Sequence, residues 1–497
     1  MTSHPAFHRL ALALLVCSGA AARAEQTGAV GSGAPFDNRQ PSIALNMAIG
    51  EYGIYGIGVP VRMFAFDLPD GWAKADGRLL PVSQFSTLAT ELGSTYGGDG
   101  TNTFGLPDLR GRSPLGMGAG PGTSSYALAQ TAGTDQATLS VAAMPVHAHP
   151  VQCNAWTGTA GSGEGFDNRQ PSLALAPEIA YSGVFPPRNR PAAERGLAAS
   201  PALPFYGQIF FHSKPAVNGD FFPAAGQILQ WNQYSALFSI LGTTFGGNGS
   251  FTFGLPDLRG RLATCFGTGP SLSSYDWGTV AGVENPSLFA LQLPPHSHTV
   301  PGAPDTGPAG NGFAFDNRQP TLAIRYLMCT QGVYPSGFGP DDQSTYIGEI
   351  IMFAGNFDPV NFAGCDGRLL PKSGNEALFS LLGTRYGGDG VISFGLPDLR
   401  GRVPIGTSDA LPLGTLFGSE QVQLSVDNLP SHTHTLPPAC PGDLNGDGQR
   451  NTFDLGFLLS HFGESLPPGT CSDINGDGIV NTFDLGVFLS KFGVPCP

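Results

Sequence analysis

Three pairs of histidines stand in this chain as His-x-His: His147 and His149, His296 and His298, His432 and His434. The whole chain has ten histidines, and only His212 and His461 lie outside these pairs beyond residue 24. In a strand, residues two apart project from one face, so both imidazoles of a pair can address a single ion. Imidazole suits Zn, Fe, Cu or Ni. One pair is a poor site by itself, and the competing reading is that each pair caps a strand and bonds locally. Three pairs converging on an axis supply six nitrogens, enough for an octahedral ion. A second chemistry lies near the C-terminus. Asp443-Leu-Asn445-Gly-Asp447-Gly448 and Asp473-Ile-Asn475-Gly-Asp477-Gly478 have the start of a Ca²⁺ loop, with oxygen donors alternating around the ion and Gly permitting the sharp turn. Gln449 and Ile479 offer backbone carbonyls at the seventh position, Asn451 and Asn481 fall at the ninth, and Asp454 and Asp484 at the twelfth, where an EF-hand ordinarily has Glu. Two Ca²⁺ ions are expected.

The elements that must position these groups come in three copies. Phe-Gly-Leu-Pro-Asp-Leu-Arg-Gly-Arg occurs unchanged at Phe104 to Arg112, Phe253 to Arg261 and Phe394 to Arg402. Each copy follows a Gly-rich turn, Gly93 to Gly100, Gly242 to Gly249 and Gly383 to Gly390. A repeat of this length decides the architecture before any local assignment does. Ahead of each turn, leucines four apart (Leu88 and Leu92, Leu237 and Leu241, Leu378 and Leu382) predict a helix of about ten residues. Ser83, Asn232 and Ser373 are its expected N-caps, and Gly93, Gly242 and Gly383 its terminators. Asp76-Gly77 and Asp366-Gly367, each between apolar runs, predict a hairpin. Unit 2 has Ala225-Gly226-Gln227 there instead. Asp108 and Arg110 are expected to pair locally, a structural role, since the motif has no nucleophile or phosphate-loop logic. Farther upstream, Phe-Asp-Asn-Arg-Gln-Pro recurs at Phe36 to Pro41, Phe166 to Pro171 and Phe315 to Pro320. An apolar run follows each, and then a strand-like segment: Val61 to Phe66, Gly207 to Phe211 and Ile350 to Ala354.

At 497 residues the chain calls for three or four domains. Charged residues make up only 12%, against 71 glycines and 44 prolines, which favours turn-rich β structure over long helices. The net charge of −14 disfavours nucleic acid as a partner. Arg9, the apolar stretch Leu10 to Val16 and Ala22-Arg23-Ala24 predict a signal peptide over 1–24, cleaved after Ala24. The apolar stretch is too short to span a bilayer, and no later one is long enough. A secreted or cell-surface, non-transmembrane chain is expected. Of eight cysteines Cys17 leaves with the signal, so the seven others hold at least one free thiol.

The run Gly-Arg-Leu-Leu-Pro, Leu-Leu-Gly-x-x-Tyr-Gly-Gly-Asp-Gly, Phe-Gly-Leu-Pro-Asp-Leu-Arg-Gly-Arg and Leu-Pro-x-His-x-His resembles the phage tail collar domain and its microcystin-dependent-protein-like relatives. The resemblance covers unit 1 (36–150), unit 2 (166–300) and unit 3 (315–437). In phage short tail fibres of this type, three chains trimerise and paired histidines hold a metal on the axis. The resemblance thus implies the six paired histidines as ligands of Zn²⁺ or Fe²⁺. With three copies in one chain, two arrangements follow: a covalent pseudo-trimer in which residues 36–60 complete unit 3, or three beads on a string. The duplicated loop-plus-helix pattern over 440–497 resembles a type I dockerin. It implies a small all-α, EF-hand-like calcium module that docks onto a cohesin-type or cell-surface partner, with Cys440 and Cys496 placed to clasp its ends.

The expected fold class is therefore irregular, β-rich α+β collar repeats followed by an all-α dockerin-like module. The expected function is non-catalytic: an exported adhesin or receptor-binding head for a glycan or surface receptor, tethered by the module. The alternatives are a dockerin-borne polysaccharide-degrading enzyme and a structural part of a phage-tail-like assembly. No Gly-x-Ser-x-Gly or His-Glu-x-x-His motif supports the enzyme.

Overall fold

A computed structural model describes residues 26–51, 59–151, 156–188, 204–215, 219–300, 305–335, 345–436, 440–466 and 471–496. The expected signal peptide and Cys153 lie outside them. The described chain is β-rich, with five short α-helices. None of its helices is long and apolar enough to cross a membrane.

The apolar run after each hexapeptide forms a nine-residue strand: Ser42–Gly50, Ser172–Ala180 and Thr321–Cys329. Almost every residue in these long strands is buried, as near-continuous apolar composition predicts for a strand covered on both faces. The first half of each long strand pairs in parallel with a short arm strand that follows the nine-residue motif. Ser172–Ala180 takes Ser113–Gly116 of unit 1, and Thr321–Cys329 takes Leu262–Cys265 of unit 2. Ser42–Gly50 takes Val403–Gly406 of unit 3, from the other end of the repeat region. That pairing closes the three units into a ring and excludes beads on a string.

The second half of each long strand pairs antiparallel with an inner strand: Arg62–Phe64, Gln208–His212 or Glu349–Phe353. The inner strands also pair with one another. Glu349–Phe353 bonds to both others, and the bridge between Pro60 and His212 completes the triangle. One hydrophobic core runs through all three units and includes Phe64, Phe104, Phe253, Phe353, Phe394 and Tyr326, all fully buried. Five of these are phenylalanines, and truncation of a buried Phe to Ala costs about 3–5 kcal/mol.

Two local expectations are corrected. The helices are α1 (Ser86–Leu92), α2 (Ser235–Leu241) and α3 (Glu376–Leu382), seven residues each. Their N-caps are Phe85, Tyr234 and Asn375 rather than Ser83, Asn232 and Ser373, and none makes a side-chain cap bond. Those three positions instead precede the helix, in a turn closed in unit 1 by the Phe85 amide on the Pro81 carbonyl. The terminators do hold: Gly93, Gly242 and Gly383 have φ of 55–56° with ψ near −136°, a conformation that needs Gly. The Asp-Gly turns do not make hairpins. Trp72–Lys74 pairs with the long strand, whereas Leu79–Pro81 pairs with Thr103–Gly105. Gly77 has a positive φ, and a Cβ there would lie 2.9 Å from Asp108, so the turn is fixed against the nine-residue motif instead.

The expected ion pair within that motif is present in all units: Arg110 with Asp108, Arg259 with Asp257 and Arg400 with Asp398, at 2.8–2.9 Å. The Gly-rich turn is built around one acceptor. Asp99 Oδ1 takes the amides of Thr101, Asn102 and Thr103, and Asn248 and Asp389 do the same in units 2 and 3. These bonds hold the Asp99 carboxyl well below the usual carboxylate range.

At the C-terminus, α4 (Thr452–Ser460) and α5 (Thr482–Lys491) pack a separate small core of Leu444, Leu458, Val480 and Phe488. A Cys440–Cys496 disulfide, a pairing the sequence allowed but did not fix, closes it.

Candidate metal centre

Each His-x-His follows a proline, and the backbone of that turn orients the first imidazole. His147, His296 and His432 donate Nδ1–H to the carbonyls of Pro145, Pro294 and Pro430, all at 3.0 Å. Each also bridges a Gly-rich leader: His147 with Ala160, His296 with Ala309 and His432 with Val30. The leader of unit 3 is thus the stretch at the start of the described chain, a second closure of the ring. His149, His298 and His434 donate Nδ1–H to Gly307, Gly28 and Gly158 at 2.8–2.9 Å. Each of these carbonyls belongs to another unit's leader, so the outer histidines are oriented in a cycle around the ring.

The result is two stacked triads. Ring centroids of His147, His296 and His432 lie 5.2–5.3 Å apart, and those of His149, His298 and His434 lie 4.7–4.8 Å apart. All six imidazoles are buried, and all six Nε2 atoms are without a hydrogen-bond partner. Sets of three ligand atoms drawn from these rings lie within 4.8 Å of one another. Burial, reinforced by the neighbouring rings, pushes His147, His149, His296 and His298 down to about 4 and lowers His434. Those imidazoles are therefore neutral at pH 7, with Nδ1 protonated and the Nε2 lone pair turned inward. A buried acceptor without a donor costs about 1–3 kcal/mol, so an occupant that engages these six lone pairs would be stabilising. Neutral imidazoles whose other nitrogen is held by a carbonyl are what a metal demands of its ligands. Two triads of equivalent nitrogen fit an octahedral ion such as Fe²⁺ better than the tetrahedral geometry usual for structural Zn²⁺.

The axis continues through the hexapeptides. Phe36, Phe166 and Phe315 pack edge to face with centroids 5.4–5.8 Å apart. Below them the glutamines interlock: the Gln40 amide donates to Gln170 Oε1 at 3.1 Å, Gln170 to Gln319 at 2.7 Å and Gln319 to Gln40 at 3.0 Å. Sequence reading found the hexapeptide but missed this role. The signal was its period of two, with Phe, Asn and Gln inward while Asp37 and Arg39 pair outside at 2.8 Å. The leaders were missed too. Their signal was Thr-Gly at Thr27, Thr157 and Thr306, whose hydroxyls accept the amides of His434, His149 and His298 at 2.9 Å.

In the C-terminal loops, Asp443 Oδ1 accepts the amides of Gly446 and Asp447, and its Oδ2 that of Gly448. Asp473 repeats this with Gly476, Asp477 and Gly478. Asp454 is fully buried and ties the loop start to its end through the amides of Leu444 and Asn451; Asp484 takes Asn475 and Asn481 likewise. Asn451 and Asn481 serve as N-caps of α4 and α5, accepting the amides of Phe453 and Phe483. Asn445 and Asn475 donate to Asp447 and Asp477. Gln449 and Ile479 donate their amides to the same carboxylates. Each loop and the first turn of its helix thus gather three carboxylates and two asparagines, an oxygen-rich set suited to a hard cation.

The family model of the Phage Tail Collar Domain matches this chain three times, over residues 60–114, 207–263 and 348–404. The three repeats are collar repeats. No curated protein and no solved structure matches the chain.

Proposed function

We propose that this chain is an exported, non-catalytic binding and structural protein. Its three collar units form a covalent pseudo-trimer around one axial transition metal, Fe²⁺ or Zn²⁺. A calcium-loaded, dockerin-like module at the C-terminus tethers it to a cohesin-type or cell-surface partner. The observation that carries this reading is the set of six buried Nε2 atoms, two from each unit, with no partner but one another's lone pairs. The collar matches support a tail-like structural role.

Two surface features support binding. The loop tips after the Gly-rich turns differ among units: Thr101 and Asn102, Ser250 and Phe251, Val391 and Ile392. Phe251, Val391 and Ile392 are each more than 70% exposed. On the C-terminal module, Phe453 and Phe483 hold equivalent places on α4 and α5 and are exposed to 76% and 72%. Solvent-facing aromatics at matched positions suit docking of a protein partner.

The test is elemental mass spectrometry on EGTA-washed full-length protein, together with mass by light scattering. About one transition metal per monomeric chain is expected, lost in His298→Ala. A metal-free wild-type monomer would leave the axial triads a hydrogen-bonding device only. Calcium is expected to return to the C-terminal module alone, at two ions per chain. Binding to a glycan panel without turnover supports the adhesin; hydrolysis would replace it with the enzyme.

A further inference from the structure

At three places in the ring, an arm strand of one unit meets the nine-residue motif of the next. The amides of Gly111, Gly260 and Gly401 donate to the carbonyls of Gly406, Gly116 and Cys265 at 2.8–2.9 Å. The amides of Leu109, Leu258 and Leu399 donate to those of Ala75, Ala224 and Cys365, also at 2.8–2.9 Å. The three junctions are thus superimposable in their hydrogen bonds. Two of them place Gly and Ala where the junction of units 2 and 3 places Cys265 and Cys365. Backbone crowds this spot in the other two: a Cβ on Gly116 would lie 1.8 Å from the Leu258 carbonyl, and one on Gly406 2.0 Å from that of Leu109. Only the junction with two cysteines makes room for a side chain here.

The two thiols share one side and one face of the long strand Thr321–Cys329. Cys265 is the register partner of Ile324, whose carbonyl accepts the Phe266 amide. Two residues on, the Tyr326 carbonyl accepts the Cys365 amide at 3.0 Å. The register of Leu327 with Gly364, extended by one step, sets Cys365 opposite Tyr326. Residues two apart in a strand face the same way and lie about 6.6 Å apart. Disulfides join Cα atoms about 4.4–6.8 Å apart. Both cysteines are buried and both line one cavity of about 120 Å³, beside Arg325 and Arg400. Such a cavity leaves the sulfurs room to approach.

We propose that Cys265 and Cys365 are an oxidisable pair that cross-links unit 2 to unit 3. Both S–H bonds break and one S–S bond forms. Two protons and two electrons pass to a small-molecule disulfide, which leaves as two thiols. Burial pushes the Cys265 thiol up to about 12 and the Cys365 thiol upward as well, so the closed ring holds few thiolates at neutral pH. Exchange therefore takes place while the units assemble, before the junction shuts. The inference is independent of any ligand or metal.

The test is to refold the full chain in a mixture of oxidised and reduced glutathione, alkylate the remaining thiols under denaturing conditions and map the peptides without reduction. A cross-linked peptide containing Cys265 and Cys365 is expected, next to the Cys440–Cys496 peptide, which serves as the internal control. Alkylation of both Cys265 and Cys365 in a sample where the control pair is bonded would overturn the proposal, and so would a bond from either to Cys329. Cys365→Ala restores the residue type of the other two junctions, so this variant is expected to fold. Cys471 is disulfide-bonded as well, so in a Cys440→Ser, Cys471→Ser, Cys496→Ser background reductant should lower the denaturation midpoint of the parent and leave that of Cys365→Ala unchanged. Equal midpoints with and without reductant in the parent would also overturn it.

Discussion

Every axial imidazole gives its Nδ1 proton to a carbonyl, and that one bond decides the chemistry of the other nitrogen. It fixes the tautomer and turns Nε2 toward the axis, while burial makes protonation expensive at His147, His149, His296, His298 and His434. The consequence for stability has a definite sign. For His147, His149, His296 and His298 the folded ring takes a proton near 4, while the unfolded ring takes it at the ordinary 6.5. Between these values the unfolded state binds more protons, so the metal-free protein loses stability as pH falls from 6.5 to 4 and gains none above that window. Urea titrations of EDTA-treated protein at pH 7 and pH 5 check this; equal stabilities would contradict it. The glutamine ring lies below the histidines and is held by neutral bonds. Gln170→Ala strands the buried Gln40 amide and also removes the bond from Gln170 to Ser113 at 2.8 Å. A loss of about 1–3 kcal/mol is expected by chemical denaturation, the cost of a buried polar group left unpaired. Because the ring is cyclic, Gln40→Ala and Gln319→Ala should each cost a similar amount, and the double variants less than the sum.

At the scale of elements, the arm strands and the seven-residue helices behave differently from what their sequences alone suggest. The leucine spacing does specify the buried face, since Leu88, Leu92, Leu237, Leu241, Leu378 and Leu382 are all buried. The start of each helix was not legible, because a turn tied to Pro81 and its equivalents competes with the helix for the same backbone amides. The Asp-Gly turn read as a hairpin because local pattern cannot tell which strands its flanks will join; here they join two different sheets. The arm strands are short, and close backbone approach at their ends joins unit to unit. Gly116→Ala puts a methyl where the Leu258 carbonyl passes, at the junction of units 1 and 2. Since Cys265 occupies the equivalent place, the junction has a way to yield, and a cost of about 1–3 kcal/mol is expected rather than failure to fold. Thermal unfolding of Gly116→Ala beside Gly122→Ala, where a Cβ meets nothing within 4 Å, separates this clash from the strain of positive φ alone.

For the whole molecule, the consequence is a ring whose two ends meet. Residues 26–50 supply unit 3 with its leader and its long-strand partner and, through Gly28, supply unit 2 with the carbonyl that orients His298. A chain lacking them leaves Val403–Gly406 as an open edge, and open edges recruit other chains. We expect that truncation to lose the axial metal and to associate, by light scattering and elemental analysis. Removal of 440–497, which has a separate core, also removes disulfide-bonded Cys471, and should leave a monomeric ring with its metal. The sequence by itself determined the units and the candidate ligands, because repetition and the spacing of special residue types are properties of the chain alone; that Cys440 bonds Cys496 was decided by the structure. The Leu and Phe that build the core were legible for the same reason, since apolar patterning is local. Whether three His-x-His pairs meet or stay apart was decided only by tertiary structure. Convergence depends on which strand pairs with which across more than 350 residues, as Ser42 does with Val403. No local preference encodes that choice; it is made by the long-range pairing of the last unit's arm, Val403–Gly406, with Ser42–Gly50.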